Sequence, residues 1–202
     1  MARRVLLCTG GIGSGKSYVI RVFNALGVPS YDCDAAAKDL YDRDPALLAD
    51  VVRLCGDSVL DASGRLDRRT LASRIFSDPA LLSGVEALVH PAVIRDFRRW
   101  LDSLPQDDAP VILESAILLE KPLPEKLYDK VLAVTAPDSV RVERVMARSG
   151  LDEGQVRRRM AAQWSDAERA ARADFILEND GRKPLLPAIL DILERIKEDG
   201  KN

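Results

Sequence analysis

The chain reads GGIGSGKS from Gly10 to Ser17, between the apolar run Val5–Cys8 and the helical pattern of Tyr18–Phe23. The spacing Gly-x-x-x-x-Gly-Lys-Ser is typical of a phosphate-binding loop between a strand and a helix. Glycines let successive backbone N–H groups turn towards a polyphosphate, and the positive end of the helix dipole points at the same anion. This stretch therefore predicts an α/β fold with a site for a nucleoside triphosphate.

The two residues that end this stretch have separate tasks in such a loop. Lys16 reaches the β- and γ-phosphates, and Ser17 ligates Mg²⁺, so ATP and Mg²⁺ are the expected cofactors. The stretch does not match the dinucleotide-binding fingerprint Gly-x-Gly-x-x-Gly, because Lys16 stands at the position of the third glycine. The residues expected to hold the nucleotide are Gly11, Ile12, Gly13, Ser14, Gly15, Lys16, Ser17 and Tyr18.

Composition limits the partners of the chain. Its 202 residues are 47% hydrophobic and 31% charged, which suits one domain with an insertion. A net charge of −2 gives no bulk attraction to nucleic acid or to a membrane, and we expect a monomer or weak homo-oligomer. Three cysteines without C-x-x-C spacing and one histidine suggest reduced thiols and no zinc site. The N-terminus shows no signal segment, so we expect a cytoplasmic protein.

Strand and helix patterns alternate along the chain, as in a parallel sheet covered on both faces. The segment between the second and third predicted strands is mostly helical and too long for one crossover, which predicts an insertion. The predicted strands are Val5–Thr9, Val28–Tyr31, Val111–Leu113, Val131–Val134 and Phe175–Leu177. The insertion carries helical patterns at Pro45–Cys55, at Arg68–Phe76 and from Pro79 to Trp100, with an expected exposed loop over Gly56–Asp67.

The segment Tyr31–Asp34 reads YDCD and follows the second predicted strand, at the end where open α/β sheets bind ligands. A hydroxyl acceptor must lose a proton and benefits from a carboxylate, whereas a phosphate acceptor needs positive side chains. Asp32 therefore suggests an alcohol acceptor, with Asp32 as the general base. Two other roles stay open for Asp32, an N-cap and an organiser of Mg²⁺ through water. For Asp34 an N-cap role is as good an interpretation as a catalytic one.

Arg141, Arg144 and Arg148 are spaced three and four residues apart, which predicts one face of a helix. In phosphoryl-transfer enzymes, guanidinium groups on a mobile segment neutralise charge on the transferred oxygens. We expect this role for Arg144 and Arg148, while a solvated role is equally open for Arg141. The run Arg157–Arg159 cannot face one site from a helix and is interpreted as mostly surface.

An ordered set of segments resembles the dephospho-coenzyme A kinase family over nearly the whole chain. The set is Thr9–Ser17, Asp32 and Asp34, Leu66–Leu71, Ile75 and Phe76, His90 and Pro91, Ile117–Glu120, Arg144, Arg148, Gln163, Ala173 and Asp174, Asn179 and Gly181. The resemblance implies transfer of the ATP γ-phosphate to the ribose 3′-hydroxyl of dephospho-coenzyme A, the last step of coenzyme A biosynthesis.

The same resemblance implies an α/β, three-layer P-loop kinase fold with a five-stranded parallel sheet. A single domain would span residues 1–202, with a helical acceptor-binding insertion at about 35–106 and a helical lid at about 138–172. Asn179 would lie near adenine, and Lys16, Arg144 and Arg148 would join Asp32 as catalytic residues. The expected substrate-binding residues are Asp32, Arg68, His90 and Glu120, and Glu120 is placed nearer to function than Glu114.

Four positions depart from the family pattern. Cys33 replaces alanine between the aspartates, Ala116 replaces proline, and Arg141 stands where glutamine is common. Lys38 replaces arginine, which keeps the charge but loses bidentate hydrogen bonding to a phosphate. None of these changes removes a group that phosphoryl transfer requires.

Two other functions stay open from the residues alone. A kinase with another small-molecule or nucleotide acceptor would keep the same loop and arginines, although Asp32 and Asp34 argue against a monophosphate acceptor. A regulatory GTPase or ATP-dependent switch would bind nucleotide without turnover. Against a GTPase, the segment Val134–Pro137 reads VTAP where a guanine-reading Asn-Lys-x-Asp is expected.

Overall fold

The computed structural model describes residues 3–105, 109–120 and 127–198. These residues divide into two compact units. The first combines the chain up to Tyr31 with the chain after Pro105, and the second is Asp32–Pro105.

The first unit is built on a five-stranded sheet in the order β2-β3-β1-β4-β5. The parallel pairs β1–β3, β1–β4 and β4–β5 place β1 at the centre. All five strands were predicted, with ends that differ by a few residues. Val28 lies outside β2 because its N–H closes the end of the preceding helix by donating to Phe23 O at 3.0 Å. The strands are β1 (Val5–Thr9), β2 (Ser30–Asp32), β3 (Val111–Glu114), β4 (Lys130–Thr135) and β5 (Phe175–Glu178).

Helices α1 (Lys16–Ala25) and α9 (Leu186–Glu198) supply much of the core of the first unit. Their apolar faces pack with the strands, so that Phe23 and Ile189 are fully buried in one cluster with Leu132. This burial fixes β1 and α1, and therefore the loop between them, on a rigid base.

Three further helices of the first unit, α6 (Asp138–Ser149), α7 (Glu153–Ala161) and α8 (Asp166–Ala170), lie between β4 and β5 in the chain. Val145 of α6 and Val156 of α7 pack in a small apolar cluster of their own. Capping boxes define the starts of α7 and α8, so this helical segment has fixed turns.

The second unit is helical and contains α2 (Cys33–Arg43), α3 (Pro45–Cys55), α4 (Arg68–Ser77) and α5 (Pro79–Ser103). Each helix begins after an aspartate whose carboxylate accepts from two backbone N–H groups of the first turn. The core of this unit is separate from that of the first, with Leu40, Val51 and Val85 among its buried members. The N-capping residues are Asp32, Asp44, Asp67 and Asp78.

The expected exposed loop over Gly56–Asp67 is only partly confirmed. Most of the segment is exposed, but Val59 and Leu66 are buried and a short 3-10 helix covers Asp57–Val59. His90 lies inside α5, which continues through Pro91. Apolar packing of Val89 and Ala92 offsets the loss of the helical hydrogen bond that Pro91 cannot donate. No helix of the described ranges combines the length and apolar character needed to cross a membrane.

Candidate active site

The phosphate loop, residues 10–17, joins β1 to α1 within the first unit. Gly13 and Gly15 have φ values of 81° and 87°, in the left-handed region that favours glycine. The N–H groups of Gly13, Gly15, Lys16 and Ser17 donate to no acceptor among the residues that the structure describes. These donors at one helix N-terminus can receive several oxygens of a polyphosphate.

A partly buried ion pair lies beside the loop. Lys16 Nζ donates to Glu114 Oε1, and Ser17 Oγ lies 3.4 Å from the same oxygen. Glu114 ends β3, and its side chain is 12% exposed, against 14% for Lys16. The lysine that should reach the phosphates is therefore held by a carboxylate from the neighbouring strand.

Cys8 is a buried thiol whose pKa depends on Lys16 and Glu114. It pairs in register with Glu114 and is fully buried. The pKa of its thiol is raised to about 12, mainly by burial. The charge of Lys16 lowers this pKa, and the charge of Glu114 raises it. The thiol stays protonated in the folded protein and supplies no nucleophile.

Three polar side chains from other elements contact the loop. Arg144 of α6 donates to Ser14 O and to Asn179 Oδ1, both at 3.3 Å. Asn179, buried just after β5, donates to the same Ser14 carbonyl at 3.0 Å. Arg141 is 4% exposed, and its Nε donates to Ile12 O at 3.0 Å. The structure thus brings two predicted residues to the loop, together with Arg141, for which a surface role had been equally open.

Other predicted residues of the first unit face solvent. Arg148 is exposed and forms no hydrogen bond or ion pair with the described part of the chain. It lies two turns beyond Arg141, past the segment of α6 that contacts the loop. Tyr18 is 53% exposed, with the Arg21 guanidinium 5.6 Å from its ring centre. The run Arg157–Arg159 is exposed, as predicted.

Glu120 lies in the turns after β3 and contacts a residue that the sequence did not indicate. Arg169 of α8 is 1% exposed, and its guanidinium donates to Glu120 Oε1 and to Trp164 O. Its Nε is buried without an acceptor in the described structure. Glu120 is thus bound within the first unit, where it balances a buried arginine.

The two aspartates that follow Tyr31 differ in role. Asp32 is the N-cap of α2, since its Oδ1 accepts from the N–H groups of Asp34 and Ala35 at 2.9 and 3.0 Å. Its Oδ2 accepts no hydrogen bond from the residues described here. Asp34 does not cap the helix but lies in its first turn. The cap therefore leaves one oxygen of Asp32 open for chemistry.

Arg68 and His90 belong to the second unit. Arg68 donates to Asp42 Oδ2 at 2.6 Å and to Lys38 O at 2.9 Å, so it is ion-paired with Asp42. The neighbouring Asp67 caps α4. His90 is half-buried in the middle of α5.

Sequence reasoning gave no role to Gln163 and did not indicate Arg169. Gln163 Oε1 accepts from the Ile12 N–H at 2.8 Å, across 151 positions of sequence. The capping box from Ser165 to Glu168 does predict the start of α8, but no local pattern predicts that Arg169 is buried.

A parallel sheet whose central strand ends in this loop, followed by Lys16 and Ser17 at a helix start, defines a nucleotide-binding protein with a P-loop kinase fold. The family then follows from comparison with known proteins. The sequence model of the dephospho-CoA kinase family matches residues 4–184, and the chain belongs to this family. Its members are ATP-dependent phosphotransferases of the last step of coenzyme A biosynthesis. The predicted family, enzyme class and fold are confirmed.

Individual relatives agree with the family match. A dephospho-CoA kinase of Bacteroides fragilis is 38% identical over 186 residues, which are 92% of this chain and 89% of that protein. The crystal structure of TT1252 from Thermus thermophilus has 37% identity and a TM-score of 0.83, covering 98% of each chain. Dephospho-CoA kinase from Campylobacter jejuni, at 22% identity and a TM-score of 0.60 over 96% of this chain and 97% of that chain, supports the fold alone.

Proposed function

We propose that this protein transfers the γ-phosphate of ATP to the ribose 3′-hydroxyl of dephospho-coenzyme A, giving coenzyme A and ADP. The observation that carries the proposal is the family match over residues 4–184, joined to a phosphate loop with open N–H donors. The bond between the γ-phosphorus and the oxygen it shares with the β-phosphate breaks, and a bond to the 3′-oxygen forms. The proton of the hydroxyl goes to a carboxylate.

The phosphates of ATP would lie on the loop from Gly11 to Tyr18, with Lys16 released from Glu114 to contact them. Ser17 Oγ and Glu114 Oε1, 3.4 Å apart, are oxygen donors of the kind that Mg²⁺ prefers. We therefore propose Ser17 as the protein ligand of Mg²⁺ and Glu114 as a holder of metal-bound water. Mg²⁺ held there would neutralise charge on the β- and γ-phosphates. Within the described ranges, no group of three acidic, histidine or cysteine side chains is placed so that it could hold a metal ion.

Asp32 is proposed as the general base. Support comes from its position at the end of β2 and from its Oδ2, which the α2 cap leaves open. Fixed by two backbone N–H groups through Oδ1, the carboxylate has one orientation in which to accept a proton.

Arg144 and Arg148 are proposed to neutralise charge on the transferred phosphoryl group. Arg144 already contacts the loop at Ser14 O, and Arg148 is exposed on the same helix with its guanidinium available to a ligand. Asn179 is proposed to lie near adenine. Arg68, His90 and Glu120 are proposed, with Asp32, to bind the acceptor.

We propose that the protein binds no nucleic acid and no membrane, which its near-neutral charge supports. We further propose that it acts in the cytoplasm as a monomer or weak homo-oligomer. The helical insertion at about 35–106 is proposed to hold the coenzyme A portion, and the helices at about 138–172 are proposed to form a lid.

The proposal is tested by measuring ADP release from Mg·ATP with and without dephospho-coenzyme A, and by identifying the product by mass. We expect strong stimulation and the appearance of coenzyme A. ATP binding without stimulation would contradict the proposed acceptor, and screening other hydroxyl and phosphate acceptors would follow.

The nucleotide site itself is tested by Lys16→Ala, which we expect to abolish transfer while the fold is kept. Lys183→Ala is a matched control, because Lys183 also pairs with a glutamate, Glu178, but on the surface at 3.1 Å. Near-normal activity of Lys16→Ala would contradict the assignment of the loop.

A further inference from the structure

Both backbone polar groups of Ile12 are bound by side chains from the helical segment α6–α8. The Ile12 N–H donates to Gln163 Oε1 at 2.8 Å, and the Ile12 carbonyl accepts from Arg141 Nε at 3.0 Å. Ile12 directly precedes Gly13, whose positive φ turns the loop. The orientation of the Ile12 peptide groups therefore governs where the following N–H groups point.

Gln163 is held in place through its backbone. Its N–H donates to Met160 O at 3.1 Å, in the turn that ends α7, and the capping box between Ser165 and Glu168 begins α8 just after it. The side chain is not confined in the same way, since it lines a cavity of about 580 Å³. The bond to Ile12, more than steric packing, keeps the Gln163 amide on the loop.

Two carboxylates also hold the guanidinium of Arg141. Its Nη1 donates to Asp138 at 3.2 Å and to Asp166 at 3.4 Å, and the side chain is 5% exposed. The guanidinium lies against Gly11, where any Cβ would collide with Arg141 Nη2 and lie 3.2 Å from Arg169 Nη1. The buried side chains of Arg141 and Arg169 therefore pack against the loop at Gly11, which has no side chain.

We propose that Gln163 is a positioning residue for phosphoryl transfer: with Arg141 it clamps the tip of the phosphate loop at Ile12 and couples the loop to α6–α8. This inference rests on the proposed function only for its kinetic readout. The clamp keeps the N–H groups of Gly13, Gly15 and Lys16 converging on the phosphates before ATP arrives, so less ordering accompanies binding.

The decisive variant is Gln163→Leu, which keeps the size of the side chain and removes its acceptor. We expect the Ile12 amide to exchange with deuterium about five- to tenfold faster, as for the loss of one net hydrogen bond. Because Arg141 alone then holds the loop tip, the KM for ATP should rise and kcat fall, each by about five- to tenfold, while the melting temperature falls by only about 2 to 4 °C.

Two further variants make the test specific. Gln163→Glu keeps an acceptor and should retain slow exchange at Ile12. Gln155→Leu is the matched control, because Gln155 Oε1 also accepts from a backbone N–H, that of Asp152 at 3.0 Å, away from the loop. It should leave Ile12 exchange and the kinetics unchanged. If Gln163→Leu fails to fold, Gln163→Asn, whose amide is one methylene too short, takes its place.

Unchanged Ile12 exchange and unchanged ATP parameters in Gln163→Leu would overturn the clamp. Equal effects in Gln155→Leu would overturn it as well, because they would reflect general loosening of α7. Failure of the proposed function is a separate result, since it shows as a wild-type protein without acceptor-dependent turnover. In that case Ile12 exchange and the dissociation constant for ATP still decide whether the clamp exists.

Discussion

Charged side chains at the phosphate loop are each bound to a specific partner. Lys16 pairs with Glu114, and Arg169 pairs with Glu120, both with little exposure to solvent. Because an unpaired buried charge is costly, each pair fixes the orientation of both side chains. On the proposed function, ATP would compete with Glu114 for Lys16, and the exchange of one anion for another would avoid leaving the ammonium group unpaired.

Asp32 combines a cap with a proposed base, and the two roles can be separated. Asparagine also caps helices well, so Asp32→Asn should keep α2 and the melting temperature. Turnover should fall by about 10² to 10⁴ while ATP binding stays nearly intact, because the proton acceptor is lost. Steady-state kinetics and ATP titration measure both effects.

Asp78→Asn is the matched control for this prediction. Asp78 caps α5 with the same geometry, accepting from Ala80 and Leu81 N–H groups at 2.9 and 3.1 Å. It should keep full turnover. Unchanged turnover in Asp32→Asn would remove Asp32 as the base.

Cys8 makes a pH-dependent contribution to stability. Burial raises the pKa of its thiol from the usual 9.0 to about 12, so above pH 9 the unfolded chain loses a proton that the folded protein keeps. The unfolded state then binds fewer protons, and stability falls as pH rises from 9 towards 12. Cys8→Ala should lessen this fall, measured as the free energy of unfolding in urea at several pH values. Cys33→Ala, at a half-buried cysteine, is the comparison, and equal pH slopes for wild type and Cys8→Ala would contradict the prediction.

Among the structural elements, the loop between β1 and α1 has the strictest steric requirements. A Cβ on Gly13 would lie 2.5 Å from Arg141 O and 2.9 Å from Arg141 Cα, which are backbone atoms that cannot simply turn away. A Cβ on Gly15 would collide with the amide of Asn179. The glycines thus serve two purposes, left-handed backbone and close approach of α6 and of the segment after β5.

Gly13→Ala should destabilise the protein and weaken ATP binding by at least about tenfold, because strain and crowding act together at the loop. Gly27→Ala is the matched control, since Gly27 has a φ of 84° and open space around it. That variant should show only the strain of about 1 to 2 kcal/mol, with normal ATP affinity. Equal losses of stability in urea unfolding would show that crowding at Gly13 is absent.

At the scale of the whole molecule, the chain forms two units with separate apolar cores. The core of the first contains strands, α1 and α9, whereas that of the second contains only helices α2 to α5 and their connections. No residue belongs to both clusters within the described ranges. Local opening of one unit should therefore proceed without loss of the other.

Val51→Ala tests this separation, because Val51 is fully buried in the second unit. We expect a loss of about 2 kcal/mol that appears as faster amide exchange in α2 to α5. Val19→Ala, at an equally buried valine of the first unit, should instead accelerate exchange in α1 and the strands. Uniform acceleration across the chain in both variants would show that the two cores unfold as one.

Sequence patterns determined those features that neighbouring residues specify. The spacing of Gly10–Ser17 predicted the loop, and apolar runs predicted all five strands, because turn chemistry and side-chain periodicity are local. The helix Pro45–Cys55 was predicted to the residue from its proline and apolar pattern. The burial of Val59 and Leu66 was not predicted, since the residues between them are mostly polar or small.

Only the tertiary structure decided which side chains meet at the loop. Lys16 and Glu114 are 98 positions apart, and Ile12 and Arg141 are 129 apart. Strand order brings β3 beside β1 and so places Glu114, not Glu120, at Lys16. The packing of α6 buries Arg141 and leaves Arg148 in solvent, although the two share one spacing pattern. Sequence alone specifies the chemistry of each group, and the pairing of groups follows from packing, which depends on the whole chain.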